Sequence, residues 1–402
     1  MTESKKDPYA AGEQGLGYIY QPRLALLKLL QLPEKVSVLI EKDDDLDFVD
    51  DKGVKTLASL KHKAKGERLT DLSKDFWKSL NIWLTRYNRD GRTECMLRFF
   101  MFTTSKVSKS SFLTSLLPDA KRDPLLVLED TNDALSKTSS KTITSIRDGF
   151  SLLDDNEQMD FLSRIMIFDD SPRIEDLPVI IKDQYMRTVR REFRQPVYER
   201  LEGWWNDLTI KLLTGERTTE VSGFEVSDKL SSITDQYKTD NLPINFSGEK
   251  PEDISELEDD SRLFVMQLKE IGIKPNRIRN AIYDYYRAFE QRSSWARENV
   301  LVEGEVEKYE LRLVEEWERY SDVAFESLDE TSAESTLQDA GKELYKWAEM
   351  NTDHLRIRER VTEPYVVRGS FHLLANTSPK PRVFWHPLFL KKIDAILAGE
   401  TS

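Results

Sequence analysis

The residues best placed to do chemistry lie in an abrupt charge inversion near the N-terminus. Residues 41–51 hold seven acids (Glu41, Asp43, Asp44, Asp45, Asp47, Asp50, Asp51) against one base, Lys42. Residues 52–92 hold eleven bases against four acids (Glu67, Asp71, Asp75, Asp90), a local net of +7. Carboxylates concentrate divalent metal and bases concentrate phosphate; together on adjacent strands they suit metal-assisted hydrolysis of a phosphodiester. An aspartate would hold Mg²⁺, with Mn²⁺ as the alternative. Lys61 would orient the attacking water or neutralise charge developing on phosphorus. That chemistry does not itself choose between DNA and RNA.

Strands are needed to bring these groups together. Alternate strand residues share a face, so Ser59, Lys61 and Lys63 point one way while Leu60 and His62 point the other. One strand earlier, Asp45 and Asp47 share a face opposite Leu46 and Phe48. If the two strands pair, an aspartate and Lys61 converge over one edge of the sheet.

The local pattern supplies such strands. PRLALLKLLQL (22–32) has helical spacing, with Pro22 suited to a first helical turn. VSVLIE (36–41), LDFVD (46–50) and VKTLASLKHK (54–63) read as three strands separated by an acidic bend and by the turn Asp51-Lys52-Gly53. A helix follows from Thr70, capped by Thr70 or Asp71, with Phe76, Trp77, Leu80, Trp83, Leu84 and Tyr87 on its core side. Lys74 and Lys78 lie at i, i+4 on another stripe. ECMLRFFMFTT (94–104) predicts a buried strand. The expected class is α+β or α/β: an α/β domain over 1–125, then a mainly helical region over 126–240. An acidic linker spans 241–260, and a mainly helical C-terminal domain occupies 261–402, ending in a less helical stretch from Glu363.

The order helix, three strands, acidic residues and a strand lysine resembles the PD-(D/E)xK nuclease pattern. With GYIYQPRLALLKLL, IEKDDDLDFV, LASLKHK and LTDLSKDFWKSLNIWL included, it resembles the double-stranded-DNA endonuclease domain of bacterial antiphage effectors, such as CBASS nuclease effectors. The resemblance implies a restriction-endonuclease-like fold. It assigns Asp45 as the metal-binding aspartate, Lys61 as the catalytic lysine, and Glu41 and Gln21 as supporting residues. The position two before the lysine, usually Glu or Gln, is Ser59; a hydroxyl is a weaker and shorter ligand, which Asp47 or Glu41 would offset. Lys63, Lys65, Arg68, Lys74 and Lys78 are the candidate DNA contacts.

At the other end, LYKWAEMNTDHLRIRERVTEPYVVRGSFHLLAN…PRVFWHPLF is similar to the C-terminal domain of ABC-three-component defence proteins. The two ends together resemble the nuclease effector family of Lamassu systems. That family implies an SMC-like ATPase partner, a small accessory subunit, and release from the complex to form an active oligomer, a tetramer by expectation. A non-catalytic interaction subunit with a decayed site is the competing reading.

Composition bounds these readings. The 402 residues predict two or three domains at roughly 150 residues each. The single cysteine, Cys95, leaves no intrachain disulfide and fits a reducing, cytoplasmic compartment. MTESKKDPYAAGEQ lacks the apolar run of a secretory signal, so secretion and membrane spanning are not expected. No G-x-x-x-x-G-K-[ST] loop or G-x-S-x-G elbow is present, which leaves any ATP dependence to a partner. The histidines (His62, His354, His372, His386) are too dispersed and too short of cysteine to predict zinc. A net charge of −13 argues against a nucleic-acid-coating protein, while its distribution leaves a local basic stretch.

Overall fold

The computed structural model describes residues 11–137, 141–251 and 260–392. The chain divides into two compact units, 1–233 and 234–402.

In the first unit, α1 (Ala11–Gln31) leads into β1 (Ser37–Ile40), β2 (Leu46–Val49) and β3 (Lys55–Lys61). Then come β4 (Arg68–Leu69), α2 (Lys74–Arg89), β5 (Leu97–Thr103) and β6 (Lys106–Val107). After α3 (Pro124–Ser136), α4 (Lys141–Phe150) and α5 (Asp155–Ser163) the chain returns to strand as β7 (Ile165–Phe168). The helices α6 (Leu177–Ile180) and α7 (Arg194–Leu213), the strand β8 (Val221–Ser222) and α8 (Gly223–Asp235) follow.

The main sheet has the order β7-β5-β3-β2-β1-β8, and β4 pairs with β6 separately. The strands β1, β2 and β3 form an antiparallel meander; β5 joins β3 in parallel, as a connection through a helix requires. On one face, the α2 residues Phe76, Trp77, Leu80, Trp83, Leu84 and Tyr87 are buried with Leu57, Phe99 and Met101 from the strands. On the other, the buried α1 residues Leu24, Ala25, Leu27 and Tyr20 cover part of the sheet.

Three local expectations change. The helix α1 starts at Ala11, so Pro22 sits inside it rather than in its first turn. Tertiary contacts hold the helix through the proline: Tyr20 is fully buried with its hydroxyl on the Pro172 carbonyl, and the Trp205 indole donates to the Pro22 carbonyl. The helix α2 starts at Lys74, with Ser73 rather than Thr70 or Asp71 at its N-cap. Asp71 instead accepts from Ser111 Oγ and the Phe112 amide. The third change is the boundary at 125. The segment 126–240 supplies β7 and β8 to the same sheet, because the exposed backbone edges of β5 and β1 are paired by them.

The second unit holds α9 (Leu263–Glu270), α10 (Pro275–Arg297), α11 (Glu305–Phe325), α12 (Glu334–Met350) and α13 (Pro364–Ala375). Its core joins Phe264, Leu268, Ile282, Leu313, Trp317, Leu344, Phe371 and Trp385. The stretch from Glu363 is more helical than expected: Pro364 opens α13, where Val366, Val367, Phe371 and Leu374 are all buried. Gly369 permits a close approach to α10, since a Cβ there would overlap the Asp284 carbonyl oxygen and the Ala288 methyl.

The expected linker is also partly structured. Pro243 accepts hydrogen bonds from Gln291 Nε2 (3.0 Å) and Trp295 Nε1 (2.6 Å), and the Asn245 amide donates to Gln291 Oε1 (2.8 Å). Residues 241–246 are thus bonded along α10, while the most acidic part, 252–259, lies outside the described residues.

Candidate active site

The acidic turn between β1 and β2 is built by its own carboxylates. Glu41 adopts a left-handed φ of 55°, and its amide closes onto the Asp45 carbonyl at 3.0 Å. Asp47, fully buried, accepts the amides of Asp43 (3.0 Å) and Asp44 (3.1 Å). Asp44 accepts the Asp45 amide at 2.9 Å, and its other oxygen takes the Trp83 indole N–H at 2.6 Å. Short acidic side chains that capture nearby amides favour such a turn over continued strand.

This turn aims Asp45 at the C-terminal end of β3. Gln21 Nε2 donates to Asp45 Oδ1 at 2.9 Å, and the Leu60 amide donates to Oδ2 at 2.6 Å. Lys61 Nζ lies 3.7 Å from Oδ2, and Ser59 Oγ lies 3.5 Å from it. Four expected residues therefore converge from three elements: Gln21 from α1, Asp45 from the turn, Ser59 and Lys61 from β3. Ser59 is buried and shares a 2.7 Å hydrogen bond with Ser79 of α2, which directs its hydroxyl toward the helix. His62 lies on the other face, its ring 5.1 Å from that of Tyr20, in keeping with a packing role.

The structure does not gather the whole expected metal set. Glu41 is exposed, and Glu41, Asp45 and Asp47 do not form a group of three ligand atoms within 4.8 Å of one another. Asp47 belongs to a separate ion network: Lys55 Nζ is 3.1 Å from it and also pairs with Asp43, which meets Arg86 at 2.8 Å. A buried carboxylate seeks the nearest cation, and Lys55 lies two residues along β3 from Leu57, the residue paired with Asp47. Asp47, expected to offset Ser59, is instead held by Lys55 and the turn amides. Burial pushes the Asp47 carboxyl above its ordinary value despite Lys55. Burial also acts upward on Asp43, but Lys55 and Arg86 outweigh it and hold that carboxyl low.

Asp44 is the residue the sequence did not single out. Burial pushes its carboxyl up to about 6, against the Trp83 and Asp45-amide hydrogen bonds; the Asp45 charge adds to the rise and Lys61 opposes it. The available signal was the spacing of the turn acids from Trp83, which no local rule reads.

Of the candidate DNA contacts, Lys65, Arg68, Lys74 and Lys78 are exposed. Lys63 is engaged: its ammonium pairs with Asp75 and lies 4.0 Å from Glu67, so it is not an open cation.

Among the described residues, three metal-capable ligand atoms lie within 4.8 Å of one another at Glu270, Glu334 and His386 of the second unit. Lys392 Nζ already bonds Glu334 at 3.1 Å and pairs with Glu270. The Leu388 amide donates to His386 Nδ1 at 3.1 Å, which leaves the ring proton of the neutral form on Nε2, 3.2 Å from Glu334. A lysine ammonium thus fills the cation position there. Among the described residues, no helix is long and apolar enough to cross a membrane.

Residues 264–393 match the family model for C-terminal domain 7 of the ABC-three component (ABC-3C) systems. No curated protein matches the chain. Among solved structures, the chain is similar to the Moraxella osloensis Cap4 SAVED/CARF-domain containing receptor, at 14% identity and a TM-score of 0.33 over 65% of this chain. It is also similar to the Acinetobacter baumannii Cap4 receptor with the cyclic trinucleotide 3'3'3'-cAAA, at 10% identity and a TM-score of 0.32 over 70% of this chain. The chain spans 60% of the length of each of these receptors.

Proposed function

We propose that the chain is a metal-dependent DNA endonuclease acting as the effector subunit of an ABC-three-component, Lamassu-like antiphage complex. The observation that carries this reading is the convergence of Gln21, Asp45 and Lys61 at one end of the sheet. The chain order of α1, the β1–β3 meander and α2 supports it, because it is the order the nuclease resemblance implies. The match over residues 264–393 supports the defence setting and, with it, an SMC-like ATPase and a small accessory subunit as partners.

The residues fit Mg²⁺, which typically takes one or two carboxylates and keeps several waters. Asp45 would hold it, and Mn²⁺ would be held by the same carboxylate. When bound, such an ion supplies charge neutralisation and lowers the pKa of a coordinated water. Gln21 and the Leu60 amide fix the Asp45 carboxylate in place. Lys61 presents its ammonium at the same edge, where it stabilises negative charge on a scissile phosphate or orients the attacking water. Exposed Lys65, Arg68, Lys74 and Lys78 provide cations for the duplex backbone.

The test is duplex DNA incubated with the purified chain and Mg²⁺, alone and with its system partners, beside Asp45→Ala and Lys61→Ala. Cleavage by wild type that both variants lose is the expected result. Cleavage that survives both, or intact DNA in every oligomeric state, overturns the reading. The buried Ser59–Ser79 pair favours a second reading, a non-catalytic interaction subunit. Calorimetry showing no Asp45-dependent Mg²⁺ or Mn²⁺ binding would select it. RNA in place of DNA in the same assay checks the sugar.

A further inference from the structure

We propose that the hollow on the α1 face of the main sheet, away from Asp45 and Lys61, binds a nucleotide-like ligand: an aromatic ring bearing phosphate. This inference does not rest on the nuclease reading.

The hollow follows from the strand register. Thr56 of β3 stands between Phe48 of β2 and Arg98 of β5, and Ala58 stands beside Phe100. The short Thr56 between these larger neighbours leaves a depression rather than a filled layer, whereas Ala58 is fully covered and does not line it. The cavity is about 630 Å³, within the range that small-molecule sites occupy. Its walls include Phe48, Phe100, Phe102 and Phe168. Phe102 and Phe168 stack at 4.7 Å and 14°, while Phe100 meets Phe168 edge-on at 5.1 Å. Such rings offer a platform for a flat π-system, as aromatic side chains do for nucleic-acid bases.

The charge in this cavity points to an anion. Lys28, Lys35, Lys52 and Arg98 line it against only Asp50 and Asp51. Asp51 lies 3.6 Å from Lys35, and Asp50 accepts the amides of Lys52 and Val54. Lys28 has no carboxylate partner among the described residues: it donates to Gln31 at 3.0 Å and lies over the Phe102 ring at 4.9 Å. Burial alone pushes its ammonium below the ordinary lysine value. A cation held in a mostly apolar wall without a counter-charge is costly unless a ligand supplies one. The surplus of two positive charges matches a phosphate monoester, which carries about −1.5 to −2 at neutral pH, better than a single carboxylate. Ring and phosphate together describe a nucleotide, free or at the end of a strand.

The experiment is calorimetric titration of the full chain with AMP, adenosine, inorganic phosphate and a 5′-phosphorylated DNA tetranucleotide. AMP is expected to bind once per chain and more tightly than adenosine or phosphate. Lys28→Met, which keeps the apolar stem, should weaken AMP by about tenfold or more and leave adenosine unchanged. Arg98→Ala, at an exposed position that the core does not use, should weaken AMP several-fold should Lys28→Met prove unfolded. Lys61→Ala should bind as wild type does, which separates this site from the nuclease reading. Tetranucleotide binding as tight as AMP identifies a strand end as the source, and AMP binding alone identifies the free nucleotide. No saturable AMP binding up to about 5 mM overturns the proposal. So does AMP binding no tighter than adenosine, or AMP affinity unchanged in both Lys28→Met and Arg98→Ala.

Discussion

Lys61→Met separates a catalytic role from a structural one. The substitution keeps the aliphatic stem and removes the ammonium 3.7 Å from Asp45 Oδ2. At that distance the attraction is about 4.5 kcal/mol for an effective dielectric of 20 and about 1 kcal/mol in water. Both side chains are about a quarter to a fifth exposed (24% and 20%), so desolvating the two charges offsets much of that gain. Asp45 also keeps its two closer donors, Gln21 Nε2 and the Leu60 amide. The expected stability change is therefore within about 1.5 kcal/mol. The loss of a charge aimed at a developing oxyanion, by contrast, costs about 10²–10³ in rate. Urea unfolding measures the first quantity, and Mg²⁺-dependent nicking of a supercoiled plasmid by the active assembly measures the second. Wild-type nicking by Lys61→Met would refute the assignment. So would a stability loss above about 3 kcal/mol with activity per folded molecule intact, since Lys61 would then be a structural cation.

Lys55→Met should be the opposite case: it strands buried Asp47 without its cation, and we expect a loss of about 3–5 kcal/mol by chemical denaturation. Gly369→Ala should destabilise the second unit by about 3 kcal/mol or more, because the new methyl overlaps backbone of α10. Loss of the second unit's unfolding transition in calorimetry checks it. The stability of that unit should also fall in acid. Burial holds His372 down to about 3, below the ordinary 6.5, so the unfolded chain takes up a proton first as pH falls. Stability is full above about pH 6.5 and declines by up to roughly 1.4 kcal/mol per pH unit down to about 3. Urea midpoints at pH 7.5 and 5.5 should differ more for wild type than for His372→Phe, which retains the titration of His386, also held down by burial.

The strands were legible because their signal is local. β-branched and apolar runs punctuated by an acidic bend and Asp51-Lys52-Gly53 specify a meander wherever they occur, and β1, β2 and β3 lie within the expected ranges. The same alternation placed Ser59 and Lys61 on one face and His62 on the other. The α2 core stripe was equally clear, since its six large residues repeat at helical spacing and all are buried. The sequence misplaced α1 at Pro22 and ended the first domain too early. A proline is tolerated inside a helix only when distant contacts such as Trp205 hold it, and a two-residue strand like β8 carries almost no pattern.

What the sequence alone determined is the inventory: seven acids within residues 41–51, a strand lysine two residues beyond Ser59, and a basic stretch after them. Only the tertiary structure decided how those acids are used. Seven carboxylates of nearly equal chemistry cannot be ranked along a chain, because each takes whichever donor the fold brings closest. Lys55 claims Asp47 and Asp43, and Trp83 of α2 claims Asp44. Gln21 of α1 and the Leu60 amide fix Asp45 beside Lys61, across sequence separations of 24 and 15 residues.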